Sequence, residues 1–187
     1  MAVQLNGNQI FSVVVEDIHR RVKRPRDILH AGMCLADSCR LDFIVNHHPS
    51  KYGGEKESRG RREAAMMTLK ELTDSLGNEN VIAMGDFNDT PDASSFGIID
   101  GTLVNLGRTL HERGEGTIRY EGKWDMIDMF MVSPRLSSNA VMEVCRIPFL
   151  MTWERKHPGE KPLRTYSGPK YIGGVSDHCP IILKIYH

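Results

Sequence analysis

The segment that most constrains the fold is residues 80–89, which read NVIAMGDFND. Val81–Met84 is a run of four apolar residues, two of them β-branched, and this predicts a buried strand. The turn-forming residues that follow, through Pro91, end the strand. Asp86 and Asn88 are two positions apart at that end, so their side chains are expected to point to the same side. The alternative is a polar turn that only caps a strand.

Two other predicted strand ends carry polar side chains of the same kind. Residues 124–130 read WDMIDMF and contain Asp128, and residues 174–182 read GVSDHCPII and contain Asp177 and His178. Carboxylates are the ligands that hard divalent cations prefer, and a histidine beside a carboxylate is a common proton-transfer group. Three such ends in one small chain predict a metal-dependent hydrolytic site.

These motifs occur in the order found in the endonuclease/exonuclease/phosphatase superfamily, which includes deoxyribonucleases, abasic-site endonucleases, sphingomyelinases and inositol polyphosphate 5-phosphatases. The chain resembles that superfamily from about Arg26 to its C-terminus. The early Asn and metal-binding Glu of the superfamily have no matching segment before Arg26, so the resemblance is to the C-terminal portion of such a domain. The matching segments are Asn46-His47, residues 85–88, Ile127-Asp128 and residues 176–178.

The resemblance implies an α+β fold, a four-layer sandwich of two packed β-sheets with helices outside, incomplete at its N-terminus. We expect one domain over residues 1–187. The hydrophobic pattern predicts a helix from Ser58 that ends near a Gly77 C-cap, a turn at residues 37–38 and a long polar loop over residues 148–174. It also predicts strands at residues 9–15, 27–33, 40–46, 126–132, 141–147 and 180–186.

The resemblance also implies a role for each site residue. Asp86 positions or deprotonates the attacking water, and the Asn88 amide binds the phosphoryl oxygens. Asp177 holds the tautomer of His178 and serves as a metal ligand, while the His178 imidazole orients the water or contacts phosphate.

His47 donates a hydrogen bond to phosphate or acts as an acid. Asp128 pairs with a histidine or helps to protonate the leaving group, and Asp125 is an ordinary loop carboxylate. The expected substrate contacts are Asn46, Asn88 and Arg62. Arg62 lies in the predicted first turn of a helix, where a cation opposes the helix dipole and so favours an anionic partner; a surface salt bridge is the alternative.

Composition limits the classes of partner. Lys plus Arg and Asp plus Glu are 24 each, so no overall basic field attracts nucleic acid and any attraction for phosphate is local. The sequence has no apolar run long enough to span a membrane and no signal peptide at its N-terminus. Cytoplasmic localisation is the default expectation, and secreted or periplasmic localisation applies if a signal has been lost. The four cysteines lack zinc-like spacing.

The sequence therefore predicts a hydrolase that uses Mg²⁺ or Mn²⁺ to cleave phosphodiester or phosphate-ester bonds in a nucleic acid or a small or lipid phosphate. The alternative is a catalytically incomplete remnant that binds phosphate-bearing ligands or a partner chain without turnover. Because an uncovered sheet edge invites association, self-association or a partner chain that completes the sandwich is also expected.

Overall fold

A computed structural model of the protein describes residues 28–34, 40–77 and 79–186. The predicted strand at residues 9–15 and the turn at residues 37–38 lie outside the described residues. The α-helices are α1 (Glu55–Leu76), α2 (Arg108–Glu112) and α3 (Pro134–Ser137), and 3₁₀ turns cover Ser94–Ile98 and Pro148–Leu150. The strands are β1 (Leu29–Cys34), β2 (Arg40–His47), β3 (Val81–Asp86), β4 (Val104–Asn105), β5 (Ile118–Tyr120), β6 (Lys123–Asp125), β7 (Asp128–Val132), β8 (Ala140–Val144), β9 (Met151–Glu154), β10 (Gly159–Pro162), β11 (Tyr166–Ser167), β12 (Lys170–Tyr171) and β13 (Ile181–Ile185).

The central element is a five-stranded mixed sheet with the order β1-β2-β3-β7-β4. Strands β2 and β3 are parallel, and the other neighbours in this sheet are antiparallel. All of Val81–Met84 in β3 is buried. Because successive side chains of a strand point to opposite faces, both faces of the sheet are covered at this strand.

Helix α1 supplies part of that cover. Its Met66 and Leu69 are buried in the same hydrophobic cluster as β3, which fits their helical spacing. The helix starts at Glu55, three residues before the predicted start at Ser58. It ends at Gly77, whose left-handed conformation (φ 56°) is that of the predicted C-cap.

The antiparallel pair of β8 and β13 packs on the same cluster. Ala140 and Met142 of β8 are buried there, and Ile181, Leu183 and Ile185 of β13 pack against it. The fold therefore combines one mixed sheet with short antiparallel strand pairs and few helices. This agrees with the predicted α+β class. Among the described helices, none is both long and apolar enough to cross a membrane.

The prediction that residues 148–174 form a long loop is wrong. The segment contains two antiparallel hairpins, β9 with β10 and β11 with β12. Trp153, Tyr166 and Tyr171 favour strands, and the segment between the two tyrosines contains Gly and Pro. The polar character of the segment concealed these short strands.

Gly85 allows β3 to end where it does. Its φ is 130°, and a Cβ atom at this position would lie 2.0 Å from the carbonyl oxygen of Asn46 on β2. A side chain is therefore excluded both by the conformation and by the close approach of the neighbouring strand. This backbone geometry directly precedes Asp86.

Candidate active site

The register of the central sheet brings the predicted site residues together. Asp86 is the Cα partner of His47 on β2 and of Asp128 on β7, so these residues form one row across three strands. His178 joins the row through an isolated β-bridge to Ile118. One ligand atom from each of Asp86, Asp128 and His178 lies within 4.8 Å of the other two.

Asp128 orients the His178 ring. The Nδ1 atom of His178 lies 2.8 Å from Asp128 Oδ2, and the hydroxyl of Thr117 donates a hydrogen bond to the same oxygen at 2.5 Å. The hydrogen bond that His178 donates to Asp128, and also the negative charge of that carboxylate, raise the pKa of His178 against the opposing effect of burial. The pairing leaves Nε2 as the ring nitrogen that Asp128 does not engage.

Asp86 is held by its neighbours on both carboxyl oxygens. The backbone N–H of Asn88 donates to Oδ1 at 2.8 Å, and the side-chain amide of Asn88 donates to Oδ2 at 3.1 Å. His47 Nε2 is 3.3 Å from Oδ2. Burial, followed by the charge of Asp128, raises the pKa of Asp86. This pKa brings the carboxylate closer to the range that suits a general base.

Asn88 has little remaining capacity to donate to a substrate. Its φ of 51° is left-handed, and its amide also donates to the carbonyl oxygen of His48 at 2.9 Å. Both amide hydrogens are therefore engaged, since a side-chain amide carries two. A phosphoryl oxygen would have to replace Asp86 or His48 as an acceptor before Asn88 could bind it.

The predicted pairing of Asp177 with His178 is wrong. The Asp177 carboxylate accepts a hydrogen bond from Arg164 at 2.8 Å, whereas His178 uses Asp128. Among the described residues, the group that could hold a metal contains Asp128 and not Asp177.

Arg62, a predicted substrate contact, is engaged in hydrogen bonds within the chain. Its side chain is fully buried and donates to Asp89 Oδ2 at 2.9 Å, to the Ser58 hydroxyl at 2.8 Å and to Glu55 at 2.7 Å. The predicted substrate contact is corrected to a structural one, because a buried charge needs such partners. Arg62 ties α1 to the loop that follows β3.

Asn46 also faces the interior, so its predicted contact with substrate is not available in this structure. The side chain is buried and its amide donates to the Ile44 carbonyl, while Oδ1 has no hydrogen-bond partner among the described residues. Alternation along β2 explains the placement, since His47 is then the exposed residue. His48 is buried again and packs against Phe87 with ring centroids 4.9 Å apart. Within the described part of the chain, its Nε2 has no hydrogen-bond partner.

The donor set fits a divalent metal ion. Mg²⁺ and Mn²⁺ prefer carboxylate oxygens, and Mn²⁺ also accepts imidazole. Asp128 lies close enough to Asp86 for its charge to raise the pKa of Asp86. A cation between them would remove that repulsion.

Thr117 and Asp89 are site-supporting residues that the sequence analysis missed. Thr117 lies in a stretch of mixed Gly, charge and Thr with no motif, and the chain brings it to Asp128 through the β5 and β6 hairpin. Asp89 directly follows the Gly-Asp-Phe-Asn motif. This position beside the motif could have marked Asp89 as part of the site. Its pairing with Arg62 could not be predicted, because the two residues are 27 positions apart in sequence.

Comparison with known proteins places this geometry in a family. Solved structures with a similar fold include the AP endonuclease LMAP from Leishmania major (17% identity over 86% of this chain and 55% of that one, TM-score 0.57). Another is the mannosyl-6-phosphatase Bt3783 from Bacteroides thetaiotaomicron (16% identity over 86% of this chain and 57% of that one, TM-score 0.55). A third is a beta toxin mutant from Staphylococcus aureus with bound magnesium ions (16% identity over 85% of this chain and 57% of that one, TM-score 0.51).

These likenesses confirm the deoxyribonuclease-like fold class. The chain spans 55 to 57% of the length of the three structures. No curated protein sequence matches the chain. The family model described as "Endonuclease/Exonuclease/phosphatase family" matches residues 8–187, and the chain therefore belongs to the endonuclease/exonuclease/phosphatase family.

Proposed function

We propose that the protein hydrolyses phosphodiester or phosphate-ester bonds with the help of a divalent metal ion. The observation that carries the proposal is the convergence of Asp86, Asp128 and His178, with one ligand atom of each within 4.8 Å. Membership of the family supports the reaction class, because its name covers nucleases and phosphatases.

Asp86 and His47 form one side of the proposed site. Asp86 orients the attacking water and accepts its proton as the new bond between oxygen and phosphorus forms. Burial raises the pKa of this carboxyl, which favours proton transfer to it. His47 is half exposed and lies beside Asp86, where it is placed to donate a hydrogen bond to a phosphoryl oxygen.

Asp128 and His178 form the other side. As the bond between phosphorus and the leaving oxygen breaks, that alkoxide takes a proton or a hydrogen bond from His178 Nε2. Asp128 stabilises the protonated ring through Nδ1, which is the orienting arrangement known from histidine–carboxylate pairs. Thr117 holds the Asp128 carboxylate in place.

Asp86 and Asp128 are the residues that would hold the metal ion. A bound Mg²⁺ or Mn²⁺ would neutralise charge on the phosphoryl group and polarise it towards attack. The magnesium ions in the beta toxin structure favour Mg²⁺ for this role. Asp177 is bound to Arg164, so we assign it to the support of the His178 loop.

The test is hydrolysis of bis-p-nitrophenyl phosphate by the chain in Mg²⁺ and in Mn²⁺. We expect His178→Ala to lower the rate by roughly two to four orders of magnitude, the usual contribution of an acid–base group. Asp125→Ala is the matched control, since Asp125 is an exposed aspartate near the same strand end, and it should keep the rate. Equal rates in wild type and His178→Ala would contradict the proposal.

The alternative is binding of phosphate-bearing ligands, or of a partner chain or second copy, without turnover. Its supporting observation is that the Asn88 donors and the Asp86 oxygens are already bonded within the chain. Saturable binding of a nucleotide or oligonucleotide with no hydrolysis in either metal would favour this alternative.

A further inference from the structure

The hairpin of β11 and β12 presents two exposed aromatic side chains. Tyr166 and Tyr171 are directly opposite each other across the hairpin, with ring centroids 5.5 Å apart in an edge-to-face arrangement. Their exposed fractions are 55% and 64%. Because more than half of each side chain is exposed, both rings are accessible to a ligand, and a tyrosine ring offers a large apolar face for stacking.

The hairpin is attached to the loop that carries His178. Arg164 donates to Asp177, the residue before His178, at 2.8 Å. Val175 N–H donates to Leu163 O at 3.1 Å, and Thr165 Oγ1 donates to Val175 O at 3.0 Å. Tyr166 is two residues from Arg164, a distance of roughly 7 Å of extended backbone. A ligand held on the tyrosines would therefore be close to the proposed reaction centre.

The charge of this segment is complementary to an anionic strand. Residues 161–176 contain Lys161, Arg164 and Lys170 and no acidic residue. Lys161 and Arg164 are paired with Glu154 and Asp177, whereas Lys170 has no ion-pair partner within the described part of the chain. Lys170 is exposed next to Tyr171. A cation beside an aromatic ring suits a ligand in which phosphates and planar rings alternate.

We propose that Tyr166, Tyr171 and Lys170 form a binding surface for a single-stranded nucleic acid whose phosphodiester enters the site of Asp86 and His178. The inference rests on the proposed function and names its substrate class. A single strand exposes its bases for stacking, whereas a duplex does not. The overall charge balance of the chain also disfavours a duplex, since tight duplex binding draws on many phosphate contacts.

A lipid surface fits this hairpin less well. The connection between the two tyrosines is Ser167, Gly168, Pro169 and Lys170, so the tip is polar and charged. Insertion of the tip into a bilayer would bury that charge. The rings lie at the paired positions below the tip, where a base can stack on them from the side.

The test is fluorescence anisotropy with a labelled oligothymidylate and a strand of the same length in which all sugars are abasic, both in EDTA to prevent cleavage. The two strands carry the same number of phosphates and differ only in the bases. We expect oligothymidylate to bind more tightly. Tyr166→Ala and Tyr171→Ala should each weaken its binding roughly 5- to 150-fold, as is usual for loss of a stacking ring.

Two sets of variants make the test specific. Tyr186→Ala is the matched control, because Tyr186 has a similar exposed fraction of 56% but follows the far end of β13. Tyr166→Phe and Tyr171→Phe keep the rings and should bind like wild type. Equal affinity for the two strands, or no effect of Tyr166→Ala and Tyr171→Ala, would overturn the inference. So would binding to anionic phosphatidylserine vesicles that the same two variants abolish while oligothymidylate binding is absent.

The binding experiment tests the substrate class, and the hydrolysis experiment tests the proposed function, so a negative result in one does not decide the other. Wild-type hydrolysis of bis-p-nitrophenyl phosphate reports on the reaction centre and involves no nucleobase. Hydrolysis of that compound without base-dependent strand binding would overturn the substrate class alone. Absence of hydrolysis with base-dependent binding would count against the proposed function and leave the hairpin as a binding surface.

Discussion

Thr117 is the residue on which the position of Asp128 most depends. It is fully buried, and its hydroxyl donates to Asp128 Oδ2 at 2.5 Å. The Thr117 hydroxyl oxygen also accepts a hydrogen bond from the backbone N–H of Asp128 at 3.2 Å. A buried hydroxyl in such an arrangement typically contributes about 1 to 3 kcal/mol when its partners would otherwise stay unsatisfied.

Thr117→Val tests this role because valine keeps the shape and removes the hydroxyl. We expect the free energy of unfolding to fall by about 1 to 3 kcal/mol. We also expect kcat to fall about tenfold with little change in KM, since the role proposed for Asp128 is in the reaction and not in substrate binding. Urea unfolding and steady-state kinetics measure the two effects. Thr117→Ser should keep both, and a valine variant with wild-type kcat would exclude the role.

His48 couples stability to pH. Burial lowers the pKa of His48 to about 4, below its ordinary value of 6.5. Below pH 6.5 the unfolded chain binds a proton that the folded chain does not take up until about pH 4. Stability from this group is therefore complete above pH 6.5 and falls as the pH drops towards 4, by about 3 kcal/mol in total.

His48→Gln isolates this contribution from the carboxyl groups that titrate nearby. Urea unfolding of both proteins across that pH range should show a smaller loss of stability on acidification in the variant. His30→Gln, on strand β1, serves as a control for the general loss of one histidine. Parallel pH profiles for wild type and His48→Gln would contradict the effect.

Side-chain alternation explains which residues the sequence could place. The motifs predicted that His47, Asp86, Asp128 and His178 act together, and neighbouring strand ends bring them together. The same alternation explains why Asn46 faces the interior. The sequence alone does not show whether Asn46 or His47 is the exposed residue of this pair. The pairing of Asp177 with Arg164 depends on a loop conformation that no residue pattern encodes.

At the scale of elements, the buried ion pair between Arg62 and Asp89 joins α1 to the loop after β3. Arg62 is fully buried and its Nε lies 2.9 Å from Asp89 Oδ2. Asp89 also accepts from Lys51 at 3.0 Å and from Ser95 at 3.2 Å. This loop carries Asn88, so the ion pair supports the position of Asp86.

Arg62→Met should be strongly destabilising because it leaves the Asp89 carboxylate buried without its main partner. The expected loss in the free energy of unfolding is about 3 to 5 kcal/mol. Arg61→Met is the matched control, since Arg61 is the exposed neighbour on the same helix, and it should stay within about 0.5 kcal/mol of wild type. Equal stability of the two variants in urea unfolding would rule out a supporting role for Arg62.

The elements themselves followed from sequence to differing degrees. Long apolar stretches predicted β3 and β13, and helical spacing with a C-terminal glycine predicted α1. The start of α1 was missed because Glu55–Glu57 carries no apolar residue to mark a helical face. The hairpins of β9 to β12 were missed because two- to four-residue strands give too short a period to recognise.

At the scale of the whole molecule, the central sheet brings the candidate site residues together from segments that are far apart in sequence. His47, Asp86 and Asp128 come from three strands, and His178 comes from the loop before β13. The chain has zero formal net charge, so any attraction for phosphate has to arise locally.

The most direct measurement is a metal titration of hydrolysis. Protein stripped with EDTA is mixed with bis-p-nitrophenyl phosphate, and Mg²⁺ or Mn²⁺ is added back to wild type, Asp86→Asn and the control Asp125→Asn. We expect saturable recovery of activity in wild type and Asp125→Asn, and none in Asp86→Asn. Equal rates with and without metal, or full recovery in Asp86→Asn, would contradict a metal-dependent reaction at Asp86, Asp128 and His178.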